Sequence, residues 1–230
     1  MRSETACVGM LITLLVLSLI GTLASAETVV IKQTDRGWYN SNGSHSPGNT
    51  NYLVGDLSGA TCSQACNSDY RNFFVFDLSG FSQPILSAQL ALFVPVEGFR
   101  SLDPSENYEL HDIVTPIATL RNGTGGLSAH TDLGSGVVYG SRTMTAADNG
   151  SVVEITLNSA AISALDAATG LIGIGGSITT LDGLANDELT FGGTVNGTEI
   201  TELRIIVPEP STLILFAISA FSLLGRRKIR

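Results

Sequence analysis

Basic residues are scarce in the interior of this 230-residue chain. It carries 12 Lys+Arg against 21 Asp+Glu, and the two ends hold five of the basic and two of the acidic residues. The interior is left with 7 against 19, a net of −12. Such a surface repels phosphate backbones and argues against nucleic acid as a partner. Histidine is limited to His45, His111 and His130, scattered along the chain and none at ligand spacing from a cysteine pair. No G-x-S-x-G elbow, H-E-x-x-H, Walker loop or dinucleotide fingerprint is present. His111-Asp112 is an adjacency, whereas a triad is defined by geometry. Carboxylates are plentiful, but nothing singles out a facing pair of the kind a glycosidase needs. The expectation is a protein with no catalytic site and no cofactor. No internal repeat stands out, which argues against a propeller or solenoid.

Cysteine and tryptophan are also rare, with three and one in the chain. Cys7 lies in the N-terminal apolar run. Cys62 and Cys66 stand as C-x-x-x-C in a polar stretch, and an oxidising compartment would pair them into a disulfide closing a short loop. Zinc is the weaker alternative, and C-x-x-x-C is not the redox C-x-x-C. Trp38, Tyr39 and Tyr52 flank a loop rich in Asn, Ser and Gly, and sugars stack on such rings. They are candidate ligand contacts, weighed against a role for Trp38 in capping one end of the core. Asp182-Gly183 and Asn186-Asp187-Glu188 offer the oxygen ligands that calcium prefers, although solvated turns account for them better. Four N-x-[ST] triplets, at Asn42, Asn122, Asn149 and Asn196, all read Asn-Gly, the preferred two-residue hairpin turn.

What the interior has in abundance is short β-branched and aromatic runs separated by turn residues. Strands are expected at Thr28–Ile31, Tyr52–Gly55, Tyr70–Leu78, Ile85–Val94, Tyr108–Val114, around Val137–Tyr139, Ser151–Leu157, Leu171–Gly175, Glu188–Phe191 and Thr201–Val207. In the fourth of these, Leu86, Ala88, Leu90, Leu92 and Val94 alternate with Ser87, Gln89 and Ala91, the pattern of a half-buried strand. One helix is expected over Ser159–Ala168, with Asn158 as N-cap and Gly170 past its end. The expectation is an all-β antiparallel sandwich, a jelly roll with one short helix.

The ends describe transport. Arg2, an apolar run from Val8 to Leu23 and the small-residue site Ala24-Ser25-Ala26 read as a secretory signal cleaved before Glu27. At the other end Pro208-Glu209-Pro210 precedes an apolar run from Thr212 to Leu224 and the basic cluster Arg226-Arg227-Lys228. The prolines stop strand or helix propagation, and the basic terminus stays cytoplasmic under the positive-inside bias. As a helix, Ser211–Gly225 would rise about 22 Å against a hydrocarbon core of roughly 30 Å, short for a permanent anchor. The expected organisation is a signal peptide over 1–26, an ectodomain over 27–206 and a sorting signal over 207–230.

That tripartite tail resembles the PEP-CTERM sorting signal of exported proteins in Gram-negative, exopolysaccharide-producing bacteria. The resemblance implies an exosortase-type transpeptidase as partner, transient residence in the inner membrane, cleavage near Pro208-Glu209-Pro210, and delivery to the cell surface or matrix. A second resemblance lies in Arg71-Asn72-Phe73-Phe74-Val75-Phe76-Asp77-Leu78-Ser79 followed by Ile85-Leu86-Ser87-Ala88-Gln89-Leu90-Ala91-Leu92. It looks like the strand pair of carbohydrate-binding-module-like jelly rolls, which implies a structural role or association with exopolysaccharide. The alternatives are a polysaccharide-active hydrolase on the same sandwich and a plainly membrane-anchored binding protein.

Overall fold

A computed structural model describes residues 26–58, 68–183, 186–193 and 200–209. Cys62, Cys66, Ala24, Pro210, Arg226, Arg227 and Lys228 lie outside them, and so do the expected disulfide, the signal segment and the apolar run of the tail. Among the described residues no helix is long and apolar enough to cross a membrane.

Ten strands form: β1 Ala26–Asn40, β2 Val54–Leu57, β3 Ser68–Asp77, β4 Ser87–Phe93, β5 Glu106–Asp112, β6 Val138–Met144, β7 Val152–Thr156, β8 Leu171–Ile178, β9 Glu188–Thr190 and β10 Thr201–Pro208. Every pairing is antiparallel, and the main order is β6-β5-β8-β3-β1-β10-β4-β7, with β2 and β9 continuing beside β3. Two separate sheets were expected, but the strands make one continuous sheet curled almost into a barrel. The element responsible is β1. Its first half pairs with β10 and its second half with β3, and an irregularity between Gln33 and Asp35 lets the strand change partners. Such a bulge bends a strand and raises its twist. At the opposite seam β6 and β7 approach without a ladder: the Asn158 amide donates to the Tyr139 carbonyl at 2.8 Å, and a Cβ on Gly140 would lie 2.6 Å from the Thr156 carbonyl oxygen.

The curled sheet encloses one main core. Ala88, Leu90, Leu92, Ile155, Leu203, Ile205 and Val207 from the β7-β4-β10 half meet Phe74, Phe76, Tyr108, Leu110, Ile174 and Ile178 from the other. The strand pair noted in the sequence is therefore no hairpin: β3 and β4 belong to opposite halves and face each other across this core.

β3 also explains why one helix was too few. Phe73-Phe74-Val75-Phe76 is a continuous apolar run, buried on both faces, so the outer face of β3 needs cover. Two short helices, α1 Ile117–Arg121 and α2 Gly126–Asp132, help provide it. Leu120, Ala129 and Leu133 join Phe73, Val75 and Tyr39 in a second, smaller core. The expected helix is present as α3, Ser159–Ala167, and the Asn158 side chain accepts from the Ala160 and Ala161 amides. A 3-10 turn, Ala146–Asp148, opens with a capping box from Thr145.

The Asn-Gly pairs act as turns, though not as the expected hairpins. Gly43, Gly123 and Gly150 take positive φ. Asn149, however, sits at φ −58° and ψ 135°, so Asp148–Ser151 is a type II turn closed by the Ser151 amide on the Asp148 carbonyl at 3.2 Å. Asn122 caps the end of α1. Asn196 lies outside the described residues.

Candidate functional site

β10 alternates Thr201, Leu203, Ile205 and Val207 into the core with Glu202, Arg204, Ile206 and Pro208 on the other face. β-branched residues and a period of two make this a strand held from both sides. On one side lies β4, with Ile206 opposite Ser87 and Thr201 opposite Leu92. On the other lies the start of β1, with Ala26 opposite Pro208, Glu27 opposite Val207 and Lys32 opposite Glu202. On the β4 side, just past the Ser87–Ile206 pair, the Leu86 amide donates to the Ile206 carbonyl at 2.8 Å. Arg204, on the outer face, forms ion pairs with Glu154 of β7 and Glu202. The beginning of the domain and its last strand thus end side by side. The expected boundary between ectodomain and tail, at 206/207, falls inside β10. Sequence reasoning placed a strand at Thr201–Val207 but had no means to see that its partner was the chain's own first strand.

The aromatic candidates do not come together. Tyr39 is wholly buried under α1, its hydroxyl donating to the Leu120 carbonyl at 2.8 Å and its ring stacked on His45. Tyr52 is wholly buried in the main core, donating to the Phe93 carbonyl at 2.6 Å. Neither ring offers a face to an external sugar. Trp38 is half-buried, edge-on to Tyr70 and to His45.

Tyr52 belongs instead to a buried polar network that the sequence did not suggest. The Arg36 guanidinium lies 4.7 Å from the centre of its ring and donates to Thr201 Oγ1 at 2.7 Å. The Asn72 side-chain amide donates to the Tyr52 carbonyl at 2.8 Å and its oxygen accepts from the Tyr108 hydroxyl at 2.7 Å. Burial pushes the Tyr108 hydroxyl far above its ordinary range, so it stays protonated as the donor.

Two constellations resemble chemistry. His111 sits with Ser177, whose Oγ is 3.4 Å from Nε2, but Glu109 Oε2 approaches that same nitrogen at 3.8 Å. A relay needs base and orienting acid on opposite ring nitrogens, and Nδ1 is buried with no hydrogen-bond partner among the described residues. Burial lowers the His111 pKa and keeps the ring neutral, with Glu109 opposing. Asp103, Glu106 and Glu188 bring carboxylate oxygens within 4.8 Å of one another. Glu106 is wholly buried and accepts from Ser101 Oγ at 2.7 Å and from Thr180 Oγ1. Glu188 accepts from the Asp182 amide at 3.1 Å. Desolvation, a side-chain hydrogen bond with Asp182 and the nearby Asp182 and Glu106 charges push its pKa up to about 7. Asp187, a neighbour in sequence, is bound by the Ser58 amide and hydroxyl and lies 3.3 Å from Arg100. An open trough of about 500 Å³ runs along α2, lined by Val114, Thr115, Leu127, Thr131, Asp132 and Ser135. It contains no aromatic ring, and its carboxylate, Asp132, is occupied by the Val114 and Thr115 amides.

The feature that carries meaning is therefore the paired strand end. Residues 207–228 match the PEP-CTERM protein-sorting motif. No curated protein matches the chain. Proteins bearing that motif are exported, processed by an exosortase and sorted to the cell surface. The chain carries the sorting motif of such a protein, and the motif begins on Val207, inside the last strand of the sheet.

Proposed function

We propose that this chain is a non-catalytic structural component of the surface or extracellular matrix of an exopolysaccharide-producing cell. It is exported by the signal ending at Ala24-Ser25-Ala26 and processed at Pro208-Glu209-Pro210. The observation that carries the reading is the sorting match over residues 207–228. Two features of the domain support a non-catalytic role. His111 and Ser177 are buried with their acid on the wrong nitrogen, and of the three clustered carboxylates Glu106 and Glu188 are closed off from solvent. Association with exopolysaccharide rests on the similarity of Arg71–Ser79 and Ile85–Leu92 to carbohydrate-binding-module-like strands. With Tyr39 and Tyr52 buried, Trp38 is the one of the three candidate rings that keeps a partly exposed surface for such a contact.

The test is intact mass and C-terminal sequencing of the protein recovered from native envelope and medium. The expected product starts at Glu27, lacks Arg226–Arg230 and ends near Pro208-Glu209-Pro210. A chain still ending at Arg230 in the membrane fraction overturns the reading. Retention of the mature domain on the cell's own exopolysaccharide tests the matrix role, and free passage through it counts against that role.

A further inference from the structure

We infer that the first half of β1, Ala26–Lys32, is an exchangeable arm: it swings out at Gln33–Asp35 and seats beside β10 of a second copy of the chain, joining copies strand to strand. This deepens the reading of the chain as a structural matrix component, and rests on it.

The two halves of β1 are held very differently. From Arg36 to Asn40 all but Trp38 are buried, and β3 pairs with the whole stretch. From Ala26 to Lys32 every residue is exposed or half-buried, and Val30 is 48% exposed. Of this half, Val29 and Ile31 reach the main core, and both do so only in part. One edge of it carries the β10 ladder. Among the described residues the other edge has no ladder partner, because β3 joins β1 only from Gln33. Between the halves Thr34 belongs to neither ladder: pairing with β10 ends at Lys32, and the register on β3 skips from Gln33 to Asp35. Such an irregularity is where a strand bends, and bending here breaks no ladder pair of Thr34.

β10 is the reverse case. Leu203, Ile205 and Val207 are wholly buried, and β4 holds the strand through Thr201–Ile206, so β10 stays in place when the arm lifts. What the arm uncovers is a strand edge, whose unpaired amides and carbonyls are a template for another strand. The segment that matches this edge is already seen on it: the same residues of another copy, in the register from Ala26 opposite Pro208 to Lys32 opposite Glu202. Exchange keeps every contact of the arm and alters only the backbone at Gln33–Asp35, which makes swapping an identical element a low-cost route to association. Extended, the arm spans about 23 Å, enough to reach from one sheet to that of a neighbour. Reciprocal exchange closes two copies into a dimer, and head-to-tail exchange extends a chain.

The experiment expresses two full-length variants together in a host carrying the processing enzyme, one with Thr28→Cys and one with Ile206→Cys. These residues stand opposite each other in the ladder, on its outer face, and opposed residues of an antiparallel pair lie within disulfide range. Peptide mass spectrometry is expected to find the two introduced thiols joined between copies. The yield should exceed at least about tenfold that of Thr28→Cys with Glu202→Cys, which the register displaces by roughly 13 Å. With Thr28→Cys and Ile206→Cys in one chain, covalent multimers are expected on a non-reducing gel and collapse on reduction. An exclusively intrachain link, or equal yields for the two pairings, overturns the exchange. Links between two copies of Val30→Cys, with no in-register link to β10, overturn it in favour of edge-to-edge pairing of β1. The C-terminus of the same sample reports on sorting separately. A processed end without the inter-copy link overturns the exchange alone, and the link on chains still ending at Arg230 overturns the sorting reading alone.

Discussion

Asn72 is the residue on which the interior polar groups converge. It donates to the Tyr52 carbonyl and accepts from Tyr108, and all of these atoms are out of reach of water. Asn72→Ala strands two buried polar partners, and its expected cost is roughly 2–4 kcal/mol in urea-induced unfolding, because an unmet buried group loses its full hydration. A loss under about 0.5 kcal/mol would mean the network is not holding the core together. Glu188 predicts a pH dependence. Its folded pKa, about 7, is raised above that of a free carboxyl, because burial and the Asp182 and Glu106 charges disfavour ionisation. The folded state therefore binds the proton more tightly. Stability from this group is complete below the ordinary carboxyl range and is lost as pH rises through about 7. Melting at pH 5 should exceed that at pH 8 by about 1–3 kcal/mol, and Glu188→Gln should flatten the difference. A Gln variant with an unchanged pH profile would assign the effect elsewhere.

Among the elements, α1 and α2 were the ones not expected, although part of their signal was visible. Thr115-Pro116 before Ile117 and Asn122-Gly123 after Arg121 are a helix start and stop. α1 is 5 residues and α2 is 7, lengths at which a helix has little stability of its own. They exist because Phe73 and Val75 present an apolar face that must be covered. Leu120→Ala is accordingly expected to destabilise the whole domain by about 2–4 kcal/mol, and to do so cooperatively in calorimetry. Separate early melting of the helices, with the sheet intact, would show that they are an appendage. α3 was read correctly because its determinants are local: an Asn cap whose side-chain oxygen accepts two amides, followed by Ala and Leu.

For the molecule as a whole, the closing step joins the first strand to the last. Leu203, Ile205 and Val207 are wholly buried, and at about 1.5–3 kcal/mol for each side chain they supply roughly 5–9 kcal/mol, comparable to the total stability of a domain. A chain truncated after Glu202 is expected to show no cooperative thermal transition by circular dichroism; a sharp transition would mean that β1 and β4 close without β10. This closure is long-range, so it cannot form until the chain has been made to the edge of its sorting motif.

The strands, their alternation, the α3 cap and the sorting motif were legible in the residues themselves, because each rests on neighbours within a few positions. Thr201–Val207 reads as a strand for that reason, and Pro208-Glu209-Pro210 as its end. What no local pattern carries is partnership. That β1 bends at Gln33–Asp35 to serve both halves of the sheet, that Tyr39 and Tyr52 face inward and not toward a ligand, and that Glu106 and Glu188 meet are all facts about residues far apart in sequence. Side chains alternate along a strand with a period of two, so a sequence announces two faces, but only the packed sheet chooses which is the inside. Chain entropy keeps Ala26 and Pro208 apart until the core between them has formed, and their meeting belongs to the tertiary structure alone.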